Sequence, residues 1–245
     1  MQKMRLDVFL VDNAFVESRT DAKNFILAGS VIVDGKTVQK PAFDVTGKEN
    51  IIVDKTAKKF ASRGGFKIEA ALDYFKIDPA GLVALDVGAS SGGFTDCLLQ
   101  RGAAHVIAVD SGSGQMIQRL REDSRVTVIE NFNARYMSKD DFDKIPEIAV
   151  MDVSFISAKH IIPAVYSVLA PGGRFICLIK PQFEVGRSGL NKKGIVKNDT
   201  LRKRSVDDVI DFSKAVGFES NGLIESPILG GDGNTEYLAF FKKGE

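Results

Sequence analysis

The chain has only two cysteines and two histidines among its 245 residues. Cys97 and Cys177 stand far apart inside apolar-rich segments, which excludes a disulfide framework and a metal-ligand spacing and leaves both as buried thiols. His105 and His160 fall at a strand start and on a helix face, and no role is assigned to them. Nowhere do about 18 apolar residues run together, and Met1-Gln2-Lys3-Met4-Arg5 passes straight into an amphipathic pattern without an apolar signal region. The expectation is a cytoplasmic protein with no membrane contact and no metal. Net charge is nearly absent as well, since 33 Lys and Arg stand against 32 Asp and Glu. That balance conceals one asymmetry: residues 180–204 carry eight cations (Lys180, Arg187, Lys192, Lys193, Lys197, Arg202, Lys203 and Arg204) against Glu184 and Asp199. Such a run is either solvated surface or a contact for a polyanion, and the second reading gains weight if the run borders a reacting site.

What is present is ordinary globular material, 44% hydrophobic and 27% charged, in a length that suits one small domain plus one full-sized domain. Residues 5–14 and 19–28 are amphipathic, and Ser18 followed by Asp21 is a helix N-terminal cap signal. Val31-Ile32-Val33 then meets the turn Asp34-Gly35, Lys36-Thr37-Val38 follows, and a further apolar run stands at Ile51-Ile52-Val53. These features predict an α+β unit over residues 1–58. Ser18-Arg19, Gly29 and Val31-x-Val33-Asp34-Gly35 resemble an S4 RNA-binding domain, the other reading being a helix–hairpin module with no ligand.

A polar linker is expected at 55–59, and a second domain over 59–245. There Gly64-Gly65 opens a helix running to Lys76. Strands are predicted at 82–87, 105–109, 126–130, 148–152, 175–179, 222–224 and 237–241, and helices at 94–100, 115–121, 158–169 and 200–215. Their alternation predicts a doubly wound α/β fold.

The first of these strands ends in Asp86-Val87-Gly88-Ala89-Ser90-Ser91-Gly92-Gly93-Phe94-Thr95, a glycine-rich turn at the edge where open α/β sheets bind ligands. Its spacing is not the G-x-G-x-x-G of a dinucleotide site. Asp86 would repel a pyrophosphate but suits the ammonium of a methionine moiety, so S-adenosylmethionine is the expected cofactor. The next strand ends at Asp110, placed to accept ribose hydroxyls, and the following one at Glu130-Asn131, placed to serve the adenine. The candidate cofactor residues are Asp86, Gly88, Ala89, Ser90, Gly92, Gly93, Phe94, Asp110 and Asn131.

The fourth strand ends Asp152-Val153-Ser154-Phe155. Amino-nitrogen methyltransferases carry an Asn or Asp followed by Pro-Pro-aromatic here, and cytosine-C5 enzymes carry a cysteine nucleophile nearby; neither is present. Asp152, Lys180 and Glu236 remain, with Lys67 as a second amine. An alcohol oxygen must lose its proton as it attacks a methyl group, and an amine beside another cation, desolvated by substrate, suits that task.

Ser62-Arg63-Gly64-Gly65-Phe66-Lys67, the Asp86–Thr95 turn, Asn133-Ala134-Arg135, Asp152-Val153-Ser154-Phe155, Lys180-Pro181-Gln182-Phe183-Glu184-Val185-Gly186 and Asn234-Thr235-Glu236-Tyr237 together resemble the TlyA (hemolysin A) family. The resemblance implies an S4 domain joined to an FtsJ-like, Rossmann-like methyltransferase domain that methylates cytidine 2′-hydroxyls of ribosomal RNA. It also implies a catalytic tetrad, matched by Lys67, Asp152, Lys180 and Glu236, and an RNA-facing loop after Lys180. Arg19, Lys23, Arg63, Arg187, Lys192, Lys193 and Lys197 are the candidate RNA contacts, on a protein expected to be a monomer acting on ribosomal RNA or ribosomal subunits. Two competing readings are a cytolytic protein, disfavoured by the lack of a membrane-spanning stretch, and a non-catalytic RNA-binding assembly factor, disfavoured by the four tetrad side chains.

Overall fold

A computed structural model describes residues 3–27, 29–38, 40–53, 59–230 and 233–245. The chain divides into two compact units, residues 1–63 and 64–245. Ala28, at the end of the second expected helix, and residues 55–58 of the expected linker lie outside the described residues.

In the first unit, strand β1 (Met4–Arg5) leads directly into helix α1 (Leu6–Asp12), followed by α2 (Arg19–Leu27), β2 (Val31–Val33), β3 (Lys36–Thr37), β4 (Asp44–Val45) and β5 (Ile51–Val53). The cap signal is realised, since Ser18 Oγ accepts the backbone N–H of Asp21 at 3.0 Å and donates to its carboxylate at 2.9 Å. Asp34 (φ +48°) and Gly35 (φ +75°) both adopt the left-handed conformation that a tight two-residue hairpin requires between β2 and β3. β5 pairs on the other side of β2, and β4 pairs with β1. Leu6, Leu10, Ala22, Phe25, Ile26, Val31, Val45 and Ile51 form this unit's own core.

The second unit begins with α3 (Gly64–Phe75) and continues β6 (Val83–Val87), α4 (Gly93–Gln100), β7 (His105–Val109), α5 (Gln118–Arg121), β8 (Val126–Ile129), β9 (Ile148–Met151), α6 (Ile162–Val168), β10 (Arg174–Ile179), α7 (Pro181–Glu184), α8 (Asp199–Val216), β11 (Phe218–Glu225) and β12 (Tyr237–Lys243). One seven-stranded sheet runs β11-β12-β10-β9-β6-β7-β8, parallel except for β12, which is antiparallel to both of its neighbours. The central strands β6, β9 and β10 read as near-continuous apolar runs because the sheet is buried there. Strand order reverses between β6 and β9, which opens a crevice at their carboxyl ends.

Three elements depart from the sequence expectation. The helix expected over 115–121 is confined to Gln118–Arg121, because side chains recruit the preceding backbone: Gly112 N–H goes to Asp110 and Gly114 N–H to Glu130. The helix expected over 158–169 splits into a 3₁₀ turn at Ala158–His160 and α6, since Pro163 has no N–H to donate and restricts the residue before it. The short strand expected at 222–224 is the full-length β11, disguised in the sequence by the polar run Glu219-Ser220-Asn221 on an exposed edge with a bulge between Ser220 and Gly222.

Candidate active site

Register brings the candidate reacting side chains together. β10 pairs with β12 so that Ile179 faces Tyr237, which sets Lys180 and Glu236 side by side just beyond the paired residues. On the other flank β10 pairs with β9, Cys177 facing Met151, and Asp152 follows immediately. Lys67 arrives from α3 by a length match. Phe75 packs on Phe240 of β12 with ring centroids 5.3 Å apart. Eight helical residues back from Phe75 is about 12 Å and four strand residues back from Phe240 is about 13 Å, so Lys67 and Glu236 meet.

Two ion pairs result. Lys67 Nζ lies 2.5 Å from Glu236 Oε2, with side chains 9% and 3% exposed, so this pair is almost wholly removed from water. Gln182 Nε2 donates to the other Glu236 oxygen at 3.3 Å, while Gln182 Oε1 is buried without a hydrogen bond among the described residues. Lys180 Nζ lies 2.5 Å from Asp152 Oδ1, an oxygen that receives no directed hydrogen bond, and donates to Ser154 Oγ at 2.7 Å. Replacing a buried ion pair with apolar residues commonly leaves stability unchanged or raises it, so stability alone is a weak reason to keep one.

The loop carrying Asp152 and Ser154 is pinned by Glu184, whose carboxylate accepts Ser157 Oγ at 2.6 Å and Ala158 N–H at 2.8 Å. Within that loop Phe155 has φ +64° and is 92% exposed, with the Phe183 ring centroid 5.2 Å from its own. A left-handed, exposed aromatic residue costs backbone strain and leaves apolar surface in water, an arrangement that points to a ligand.

The glycine-rich turn after β6, the candidate cofactor turn, lies across the crevice. Gly88 (φ +84°) approaches the Asp152 carbonyl so closely that any Cβ would overlap it, and a Cβ on Gly92 (φ +94°) would overlap Leu120. Asp86 is fully buried, accepts Thr95 Oγ at 2.6 Å, and keeps Oδ1 without a partner among the described residues. Burial pushes its carboxyl up to about 7, and the nearby Asp152 charge adds to the rise. Asp110 accepts Ser90 N–H at 2.8 Å and Gly112 N–H at 2.7 Å, so it organises two turns with its carboxylate. Ser90 (φ +47°) and Asn131 (φ +55°) are themselves left-handed. Asp96 in the first turn of α4 is buried and holds Arg119 through both guanidinium nitrogens, which ties α4 to α5. An unpartnered buried carboxylate oxygen beside a glycine cradle fits a ligand carrying a cation.

The expected RNA contacts are distributed over both units. Arg19 and Lys23 lie on α2, with Arg19 3.4 Å from the fully buried Asp7 carboxylate. Arg187, Lys192, Lys193 and Lys197 are exposed on the segment between α7 and α8, and Arg63 is half-buried at the end of the first unit.

The FtsJ-like methyltransferase family matches residues 60–243, and the S4 domain matches residues 4–51. The chain belongs to the FtsJ-like methyltransferase family. Hemolysin A of Brachyspira hyodysenteriae is 43% identical over 239 residues, which cover 97% of this chain and 99% of that protein. The 16S/23S rRNA (cytidine-2′-O)-methyltransferase TlyA of Mycobacterium tuberculosis is 39% identical over 242 residues, 98% of this chain and 90% of that one. Among solved structures, a Streptococcus thermophilus protein classed as a hemolysin superposes with a TM-score of 0.79 at 39% identity, covering 100% of this chain and 90% of its own. The TlyA and hemolysin A relationship, an S4 domain preceding an FtsJ-like domain, therefore extends over the whole chain. No helix among the described residues is long and apolar enough to cross a membrane.

Sequence reasoning missed several residues of this FtsJ-like site. Gln182, Ser154, Glu184 and Asn234 act through partners 26 to 54 residues away, a relation that only the strand register reveals. In the first unit, apart from that site, sequence reasoning also passed over Arg5. It bonds Asp7 through two nitrogens at 2.9 Å, and its guanidinium holds that carboxyl below the ordinary range. An acid at position 7, inside an otherwise apolar helix stripe, was the available signal.

Proposed function

We propose that this protein transfers a methyl group from S-adenosylmethionine to the 2′-hydroxyl of a cytidine in ribosomal RNA. The observation carrying this reading is the lysine held against Asp152 and Ser154 at the end of β10, next to a second, buried lysine–glutamate pair. Asp86, the Gly88–Gly93 turn, Asp110 and Asn131 would hold the cofactor, which supplies an electrophilic methyl on a sulfonium. Asp86 faces its ammonium, and the strained Ser90 and Asn131 backbones shape the edges of its cradle.

Lys180 is the central amine. Asp152 is placed to take a proton from it, after which the amine can draw the proton from a ribose hydroxyl as the oxygen attacks. Glu236, itself held by Gln182, fixes Lys67, whose charge stabilises the developing alkoxide. Phe155 offers an exposed ring on which a nucleobase turned out of its stack can rest. Arg19, Lys23, Arg63, Arg187, Lys192, Lys193 and Lys197 supply phosphate contacts that place the RNA without reading its sequence. Incubating the protein with unmethylated ribosomal subunits and S-adenosylmethionine, followed by mass-spectrometric mapping, should find a new 2′-O-methylcytidine. A new methyl group on a base nitrogen or carbon, or none at all, would overturn the proposal.

A further inference from the structure

We propose that Asn234 is a positioning residue that couples the basic loop to the Glu236–Lys67 pair, so that RNA held by the loop sets the geometry of the reacting groups. The inference rests on the reading of that loop as an RNA contact and of the tetrad as the reacting site.

The loop is a built element. Leu190 and Val196 form an antiparallel bridge, Asn191 N–H donates to Ile195 O at 2.9 Å, and Asn191 Oδ1 accepts the N–H groups of Lys193 at 2.8 Å and Ile195 at 3.0 Å. Gly194 closes the turn at φ +75°. The outcome is a short finger with Lys192 and Lys193 exposed at its tip.

The finger docks on Asn234, which is 2% exposed. Asn234 Nδ2 donates to Gly194 O at 3.0 Å, and Asn234 Oδ1 accepts Val196 N–H at 3.1 Å. Only one orientation of this amide satisfies a carbonyl and an N–H together, so the finger and the amide fix each other. The same residue also holds Gly230 against the reacting pair. Its backbone oxygen accepts Gly230 N–H at 2.9 Å, and Gly230 sits so close to the Glu236 carboxylate that a Cβ there would overlap Oε1. Glu236, two residues on from Asn234, is itself held by Lys67 and Gln182. Displacement of the finger is therefore transmitted through Asn234 to Gly230, which packs on a reacting carboxylate.

The test compares wild type, Asn234→Ala, Asn234→Asp, the finger reversal Lys192→Glu with Lys193→Glu, and each Asn234 variant combined with the reversal. Asn234→Asp keeps the acceptor for Val196 and loses the donor to Gly194, so it carries the test if the alanine variant folds poorly. Saturating single-turnover rate, KM for unmethylated ribosomal subunits, calorimetric cofactor affinity and melting temperature are measured for each. Asn234→Ala should lower the saturating rate about ten- to hundredfold, the scale for losing two buried hydrogen bonds, with cofactor affinity unchanged. In its background the reversal should raise KM far less than it does in wild type. Independent, multiplicative effects, or a rate loss accompanied by an equal loss of cofactor binding, would overturn the coupling. A reversal that leaves KM unchanged in otherwise wild-type protein would instead overturn the RNA role of the finger.

Discussion

Lys180 is held at two points, the Asp152 carboxylate and the Ser154 hydroxyl, and the role proposed for it depends on surrendering a proton. Arginine keeps the positive charge and cannot do so at working pH. Lys180→Arg should therefore lose about 10²–10⁴-fold in single-turnover methyl transfer, the usual worth of a positioned base, with cofactor affinity little changed. Near-normal transfer by this variant would reduce Lys180 to an electrostatic anchor. Asp86 yields a second prediction. Its carboxyl is pushed up to about 7 by burial, whereas in the unfolded chain it titrates near 3.8. Between those values the unfolded chain ionises while the folded one keeps its proton, so stability from this residue is lost as pH rises from about 4 to about 7 and is level above that. Asp86→Asn should remove that slope from a series of thermal melts. Cofactor affinity in wild type should rise through the same interval, because a bound ammonium favours the ionised form; a pH-independent calorimetric affinity would refute the pairing. Asp152 and Lys180 are legible as candidates because each follows directly on the apolar run of a strand, while Asp86 interrupts the end of β6 and Glu236 immediately precedes β12. The identity of each lysine's partner was hidden, since register decides it.

Among the elements, the strand periods were readable and the loops between them less so. The helix expected over 115–121 begins only at Gln118, where the preceding backbone is held by side chains: Asp110 takes the N–H of Gly112 and Glu130 that of Gly114. Nothing local in the sequence shows that competition. The loop between β9 and α6 likewise depends on a distant carboxylate. Glu184→Ala should release Ser157 and Ala158, lowering stability by about 1–3 kcal/mol and the melting temperature by several degrees. Methyl transfer should fall more than cofactor binding does, because Ser154 and Phe155 sit on the freed loop. Equal losses in both activities would mean that Glu184 only supports the fold.

For the whole molecule, the near-zero net charge sets an expectation about association with RNA. Attraction must come from local clusters such as the finger and the α2 surface, because the overall field is weak. Deleting residues 1–58 should leave cofactor binding intact and weaken binding to ribosomal RNA, and the slope of affinity against salt should become shallower as phosphate contacts are lost. Filter binding that matches full-length protein at every salt concentration would remove the S4 unit from recognition.

β12 has a consequence for the order in which the enzyme comes into being. It lies between β10 and β11, so β11 has no partner in the sheet until the later strand has inserted. Glu236 stands at the head of that strand, and Lys67, synthesised about 170 residues earlier, waits for it. With the roles proposed for Lys67 and Glu236, a chain whose β12 has not yet paired lacks half of the buried ion pair. Assembly of the sheet would then act as a safety catch on the reacting groups, released when β12 closes the gap between β10 and β11.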